Sequence, residues 1–264
     1  MQRFFERVVA SAVLLLAATA AFTGGAADPT PLFDGTTFAG WNGDTKNTWR
    51  IENGEIVAGS PDKAAARNEF LATDREFENF ELKLEYKMDC TGGCNAGVQF
   101  RSKRVPSHHE VIGYQADIAP GITGGLYDES RRRKMLALPP EEQQEKALAL
   151  SKDGWNEYTI RAKGRRIRLS INGMPLLDYT EPDETIPLKG MIALQIHGGL
   201  KGTIRYRNLR ITEFPAGAAQ AVPKDQPAPG PAPSSSSDAT RASAPGRGAP
   251  GGRAGRLLVV TIRE

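Results

Sequence analysis

Cysteine and histidine are scarce in this chain, with two Cys and three His among 264 residues. Two cysteines without a matching second pair do not make a structural metal site, which takes three or four ligands. The spacing Cys90-x-x-x-Cys94 is not the Cys-x-x-Cys of a redox motif. There is no Gly-x-Ser-x-Gly elbow, no Walker loop and no dinucleotide fingerprint. Their lack argues against a serine α/β-hydrolase, a P-loop enzyme and any nucleotide cofactor. Charge of one sign is also lacking: the formal net charge is +3 and spread out. The dense basic run Arg131–Lys134 follows Asp128 and Glu129. It reads as a solvated loop with local ion pairs, not as a nucleic-acid surface. No segment after the first few tens of residues is apolar and long enough to span a bilayer.

The start of the chain has its own logic. Arg3 and Arg7 precede an apolar run of about 15 residues, Val8–Phe22, and small residues follow at Gly24–Ala27. This is the layout of a signal peptide over residues 1–27, cleaved near Ala26 or Ala27. No cysteine stands there to carry a lipid. The expectation is a secreted or periplasmic protein with no membrane span after cleavage. In that compartment the close pair Cys90 and Cys94 is expected to form a disulfide that pins a turn between two strands.

Most of the remaining chain alternates with a period of two. Phe80–Met88 points Phe80, Leu82, Leu84, Tyr86 and Met88 one way and Glu81, Lys83, Glu85 and Lys87 the other, as a half-buried strand does. Asn53-Gly54 and Asn172-Gly173 lie between β-prone runs and predict hairpins. Further strands are expected at Asn68–Thr73, Trp155–Ala162, Arg166–Ile171, Met174–Tyr179, Gly190–His197 and Thr203–Thr212, with a bulge at Asn208. Pro139 and Pro140 introduce a short helix within Leu138–Ser151, an excursion suited to wall or cover a site. Ten or more short strands imply two packed antiparallel sheets over residues 31–214. Residues 215–264 are rich in Pro, Ala, Gly and Ser and read as a disordered tail, ending in the β-prone segment Leu257–Ile262.

Three strands carry an unusual second face. In one, Asn95, Gly97, Gln99 and Arg101 oppose Ala96, Val98 and Phe100; in another, Gly113, Gln115 and Asp117 oppose Tyr114, Ala116 and Ile118. In the third, Gln195 and His197 oppose Leu194 and Ile196. Solvated faces favour Thr, Lys, Ser and Glu, as the charged face of Phe80–Met88 shows by contrast. Amide, guanidinium and carboxylate groups beside glycines suit a ligand with many hydroxyls, because each hydroxyl both donates and accepts. Tyr114, Tyr127 and Trp155 could serve as sugar platforms, but for each one taken singly the core role is the favoured reading. His108 and His109 form an exposed loop pair and His197 a strand-end rim. Glu181, Asp183 and Glu184 lie in a Pro-broken loop and read as solvated. The acids that could face a ligand are Glu110, Asp117, Asp128 and Glu129.

LFDG…GW near the start, WRIENGEI, NAGVQFRS, GYQADI, GGLYDESRR, WNEY and INGMPLLDY, in that order, together resemble the 3-keto-disaccharide hydrolase domain family, over about Pro31 to Phe214. The resemblance implies a concanavalin A-like jelly-roll fold and action on 3-keto-glycosides, by hydrolysis or by elimination. A ketone at C3 acidifies the C2 hydrogen, so the chemistry needs a base, a stabiliser for the enediolate oxygen and an acid at the leaving group. On this expectation Asp117 or His197 is the base, Arg101 the stabiliser and Glu110 or His109 the acid. Gln99, Gln115 and Gln195 hold sugar hydroxyls, and Tyr127 and Asp128 close the rim. A divalent ion bridging Asp117, Glu110 and a histidine is the alternative stabiliser. A non-catalytic carbohydrate-binding module, or a scaffold domain with the tail as a spacer, would use the same fold differently.

Overall fold

The computed structural model describes residues 28–215. The expected signal peptide, the tail beyond that point and the Leu257–Ile262 segment lie outside the described residues. In chain order the elements are β1 (Thr30–Pro31), β2 (Trp41–Asn42), β3 (Trp49–Glu52), β4 (Glu55–Ser60), β5 (Glu69–Phe77) and β6 (Phe80–Gly92). They continue with β7 (Ala96–Arg104), β8 (Val111–Ile118), β9 (Leu126–Glu129), β10 (Lys134–Ala137) and α1 (Glu141–Leu148). The last are β11 (Asn156–Lys163), β12 (Arg166–Ile171), β13 (Met174–Thr180), β14 (Gly190–Ile196) and β15 (Lys201–Glu213).

Turn chemistry sets the local pairings. Asn53 and Gly54 have φ of 53° and 80°, and Asn172 and Gly173 have 52° and 78°. Both central residues are left-handed, as the tight turns between β3 and β4 and between β12 and β13 require. The expected irregularity at Asn208 is present: its φ is 54°, and the β15–β6 register shifts between Arg207 and Arg210.

Two antiparallel sheets result. The first runs β13-β12-β11-β6-β15-β4-β3, with β1 on β15, and the second runs β10-β9-β8-β7-β14-β5-β2. The inward faces meet in one core, with Leu82, Leu84, Ile160 and Ile204 from the first sheet against Val98, Phe100, Ala116, Ile192 and Leu194 from the second. Phe80 bridges the layers edge-on to Phe100, and Phe100 stacks on Tyr114 with centroids 5.5 Å apart. Tyr114 is thus a core aromatic, not a sugar platform. Trp155 is half-buried under the Arg207 guanidinium, 3.9 Å from its ring centre.

The chain passes from the first sheet to the second between β6 and β7, and the Cys90–Cys94 disulfide closes that crossover with a Cα–Cα distance of 5.7 Å. Helix α1 docks beside β13: Gln143 Nε2 donates to Pro175 O at 2.6 Å, and Gln144 Nε2 reaches Gly121 O at 3.2 Å. Asn172 Nδ2 donates to Ala147 O at 2.8 Å. The helix therefore braces the first sheet and the β8–β9 loop. None of its side-chain hydrogen bonds reaches the polar face, where a wall or lid was expected.

Candidate functional site

The outer face of the second sheet is the candidate site. Strands β14, β7, β8 and β9 lie side by side, and their register sorts the side chains into rungs. Gln195 stands opposite Gly97, and Gly97 opposite Asp117. On the next rung Ala193, Gln99, Gln115 and Tyr127 line up. Beyond it Gly113 faces Glu129. Thus Gln99, Gln115, Asp117, Gln195 and Tyr127 share one face, with Glu129 beside them. On the β5 side Phe70 is opposite Gln195 and Ala72 opposite Ala193. Phe70, Ala72, Val111, Met191 and Ala193 form a small apolar cluster of their own, separate from the core. This apolar floor escapes a reading of single strands, because its members become neighbours only through the sheet order.

A directed chain of hydrogen bonds crosses the face. Ser102 Oγ lies 3.1 Å from Gln99 Oε1, Gln99 Nε2 donates to Gln115 Oε1 at 2.6 Å, and Gln115 Nε2 donates to Asp117 Oδ1 at 2.6 Å. Gly97 makes the diagonal reach possible, since a Cβ there would sit 2.8 Å from both Cγ and Cδ of Gln115. The chain ends abruptly. Asp117 Oδ2, and both Oε1 and Nε2 of Gln195, are buried and have no partner. Buried polar atoms without partners are rare, and three of them flanking one glycine mark the place where a hydroxylated ligand would supply the missing bonds.

Electrostatics sharpen the same spot. Burial pushes the Asp117 carboxyl up to about 7, against the pull of the Gln115 amide. Glu129 is also raised, first by burial and then by the charge of Glu110. Burial and the nearby Glu129 and Asp117 raise the Tyr127 hydroxyl. Two carboxyls with raised pKa, Asp117 and Glu129, therefore share one region.

The loop between β7 and β8 explains the burial. Val111 is paired with Arg104 at the far end of β7. Yet Asn68 Nδ2, beside the Ile196 end of β14, donates to Glu110 Oε1 at 3.4 Å. The loop therefore folds back across the face. Asn68 Oδ1 is also the acceptor for Gly198 N at 2.9 Å, so one carboxamide ties the loop to the end of β14. His109 Nε2 lies 3.4 Å from Glu110 Oε1 and stacks on His108 with ring centres 4.2 Å apart. His197 is half-buried at the end of β14. Its Nδ1 lies 2.7 Å from Gly198 O, a carbonyl acceptor that calls for a proton on Nδ1.

The family model of the 3-keto-alpha-glucoside-1,2-lyase-like domain matches residues 28–212. The chain belongs to this family. No curated protein matches it at a significant level. Two solved structures from Parabacteroides distasonis ATCC 8503, provisionally assigned as glycosyl hydrolases, are similar to this family member. One is 22% identical with a TM-score of 0.53, covering 71% of this chain and 100% of its own. The other is 19% identical with a TM-score of 0.51, covering 70% and 94%. The carbohydrate-binding module CBM66 from Bacillus subtilis has a TM-score of 0.50 at 13% identity, covering 66% and 96%. Together with the two antiparallel sheets and the single helix, they place this family member among the jelly rolls.

Two residues expected on the polar face are elsewhere. The register of β7 against β8 shifts between Phe100 and Lys103, and Arg101 adopts φ of 49°. That irregularity ends the alternation and turns Arg101 away. Its Nε and Nη2 donate to Glu78 O at 3.0 and 2.6 Å, and its Nη1 donates to Gly164 O at 2.7 Å. Arg101 clamps the β5–β6 turn to the β11–β12 turn, and burial lowers its pKa to about 10. Asp128 follows Tyr127 directly, so the two cannot share a face. It is buried on the inner side of β9, bonded to Arg131 and Arg132.

Arg132 also donates to Glu181 at 3.0 and 2.7 Å, and Tyr114 Oη donates to Glu181 Oε2 at 2.7 Å. Glu181 is 0% exposed, and Arg131 and Arg132 are partly buried. Glu181 was expected to be solvated, and the arginines to lie in a solvated loop with local ion pairs; the local pairs with Asp128 are present, but the groups are buried or partly buried. They form a structural ion cluster that the sequence reading could not assemble, because 49 residues separate Arg132 from Glu181. The bridging-ion alternative finds no ready ligand set: among the described residues no group of three or more His, Cys, Asp or Glu side chains is disposed to hold a metal ion.

Proposed function

We propose that this protein is an exported carbohydrate-active enzyme that cleaves 3-keto-glycosides by C2–H abstraction and elimination. The observation that carries the reading is the free Oδ2 of Asp117 facing, across Gly97, the two unpartnered polar atoms of Gln195. The family match supports the substrate class. The apolar start of the chain supports export.

In this scheme Asp117 Oδ2 takes the C2 proton, and the electron pair of that bond forms the enediolate between C2 and C3. A carboxyl with a pKa near 7 is suited to this, being substantially ionised at neutral pH while keeping useful basicity. Gln195 Nε2–H, in the position first given to Arg101, donates to the developing C3 oxyanion. Collapse of the enediolate restores the C3 carbonyl, forms C1=C2 and breaks the bond from C1 to its oxygen. Glu129, whose raised pKa keeps it protonated longer than an ordinary glutamate, gives that oxygen its proton. Addition of water across C1=C2 gives net hydrolysis. Phe70 and the neighbouring apolar floor offer the sugar ring a face. Access of substrate to this face requires displacement of the loop carrying His109 and Glu110, which Asn68 ties to the end of β14.

Incubation of the protein with a 3-keto-disaccharide, with and without chelator, tests the reading through release of the C1 substituent. No release by the parent protein, or equal release by the Asp117→Asn variant, overturns it. The second reading is a non-catalytic sugar-binding module. The fold shared with a carbohydrate-binding module and the free amide of Gln195 favour it. It predicts binding of the unoxidised glycan and no release.

A further inference from the structure

The outer face of the first sheet, on the other side of the sandwich from the candidate site, carries an arrangement that the proposed function does not use. Strands β11 and β12 pair so that Arg161 stands directly opposite Arg168, and Lys163 directly opposite Arg166. Like charges directly across a strand pair repel. Here two such rungs occur two residues apart. Within 4.0 Å only one member of each has an acidic partner. Asp178, held low in pKa first by its bond to Arg166, also stands across the strand pair from Arg168, whose charge lowers it further. Arg161 Nη1 meets Glu81 Oε2 at 3.2 Å, and Arg166 forms a paired contact with Asp178 at 2.7 and 2.5 Å. Among the described residues Lys163 and Arg168 make no ion pair within 4.0 Å. Arg161 Nε is moreover buried with no hydrogen-bond partner, although its guanidinium packs on Phe214 at 4.8 Å.

These four cations alone line a cavity of about 160 Å³. Arg161 and Arg168 also line an adjoining groove of about 550 Å³, whose other polar lining is Glu81, Thr159, Ser170, Asp178 and Gln143. Four cations here face two carboxylates, Glu81 and Asp178, and hydroxyl and amide groups beside that excess of positive charge match a ligand that is both polyhydroxylated and negatively charged. We infer that this face is a second glycan site that binds acidic oligosaccharides, with a carboxylate or sulfate seated between Lys163 and Arg168. The site is separate from the cleft and does not depend on what the cleft does.

Isothermal titration of the full chain tests this with four probes: a uronate hexasaccharide, a sulfated hexasaccharide, a neutral glucose hexasaccharide and hexaglutamate. The acidic saccharides bind, the neutral saccharide and the peptide do not, and binding weakens as salt is raised. The stronger of the two acidic arms identifies the anion. The double variant Lys163→Glu/Arg168→Glu, at two side chains free of ion pairs, weakens binding by about tenfold or more. A thermal melt of that variant checks its fold, and Lys163→Ala/Arg168→Ala gives the same direction if the reversal unfolds. No binding of either acidic saccharide overturns the inference. So does equal binding of the neutral sugar or of hexaglutamate, or unchanged affinity in a folded double variant.

Discussion

Gln115 holds Asp117 by one hydrogen bond of 2.6 Å to Oδ1 and leaves Oδ2 free. The bond fixes the plane of the carboxyl and directs its unused oxygen toward the gap at Gly97. It also sets the protonation of Asp117 against burial, because the amide donor favours the anion.

Removing that donor raises the Asp117 pKa further. In Gln115→Leu the acid limb of the kcat/KM profile on a 3-keto-glycoside therefore moves to higher pH. A pH–rate profile checks this, and an unmoved limb would assign the limb to another group.

Asp117→Asn abolishes the base, and cleavage falls by about 10²–10⁴-fold. Stability moves the other way. The folded carboxyl titrates near 7 and the free group near 3.8. Across that window the native state holds a proton that the unfolded state has released, so the parent loses stability as pH rises from roughly 4 to 7. The variant lacks this loss. Denaturant melts should show its advantage at pH 8 and a smaller one near pH 4.

Glu181 gives the opposite slope. Burial works against its charge, but the Arg132 guanidinium and the Tyr114 hydroxyl hold it below the usual glutamate range. Its contribution is present above the unfolded pKa and is lost as pH falls through the lower, folded one. Glu181→Gln leaves Arg132 with Asp128 as its remaining acidic partner, lowers stability at pH 7 by about 1–3 kcal/mol and flattens the acid limb of the stability curve.

Arg101→Ala should act on the fold and not on chemistry. Three hydrogen bonds to the carbonyls of Glu78 and Gly164 disappear, at a cost of about 3 kcal/mol. Activity per folded molecule stays at the parental level. A fall of more than about tenfold in kcat with an intact melt would return Arg101 to the chemistry.

Reduction of the Cys90–Cys94 bond opens a loop with a sequence separation of only 4. Loop entropy then predicts a loss of about 2 kcal/mol, visible as a lower Tm in reductant and absent in Cys90→Ala/Cys94→Ala.

Much of the architecture was legible because hairpin chemistry and period-two patterning are local. Asn53-Gly54, Asn172-Gly173 and the alternation of Phe80–Met88 each specify geometry within a few residues. The polar face was legible for the same reason up to Phe100. There the bulge, which has no clear signature in RSKR, broke the period and misplaced Arg101. Asp128 was misplaced by treating two adjacent strand residues as one rim. The Glu181 cluster, the Phe70 floor and the loop folded over the face all depend on pairs far apart in sequence, and a single chain read in order gives no register between such pairs.

Sheet order has one more consequence. Strand β14 inserts between β7 and β5, and β15 between β6 and β4, so the two last-made strands among the described residues occupy interior positions in their sheets. Asp117 and Gln115 leave the ribosome well before Gln195, by on the order of ten seconds at ordinary rates of synthesis. Until β14 arrives the second sheet is two separate pieces. A chain that stops short of β14 cannot bring Gln195 beside Gly97 and Asp117, so that grouping forms only once β14 has been made.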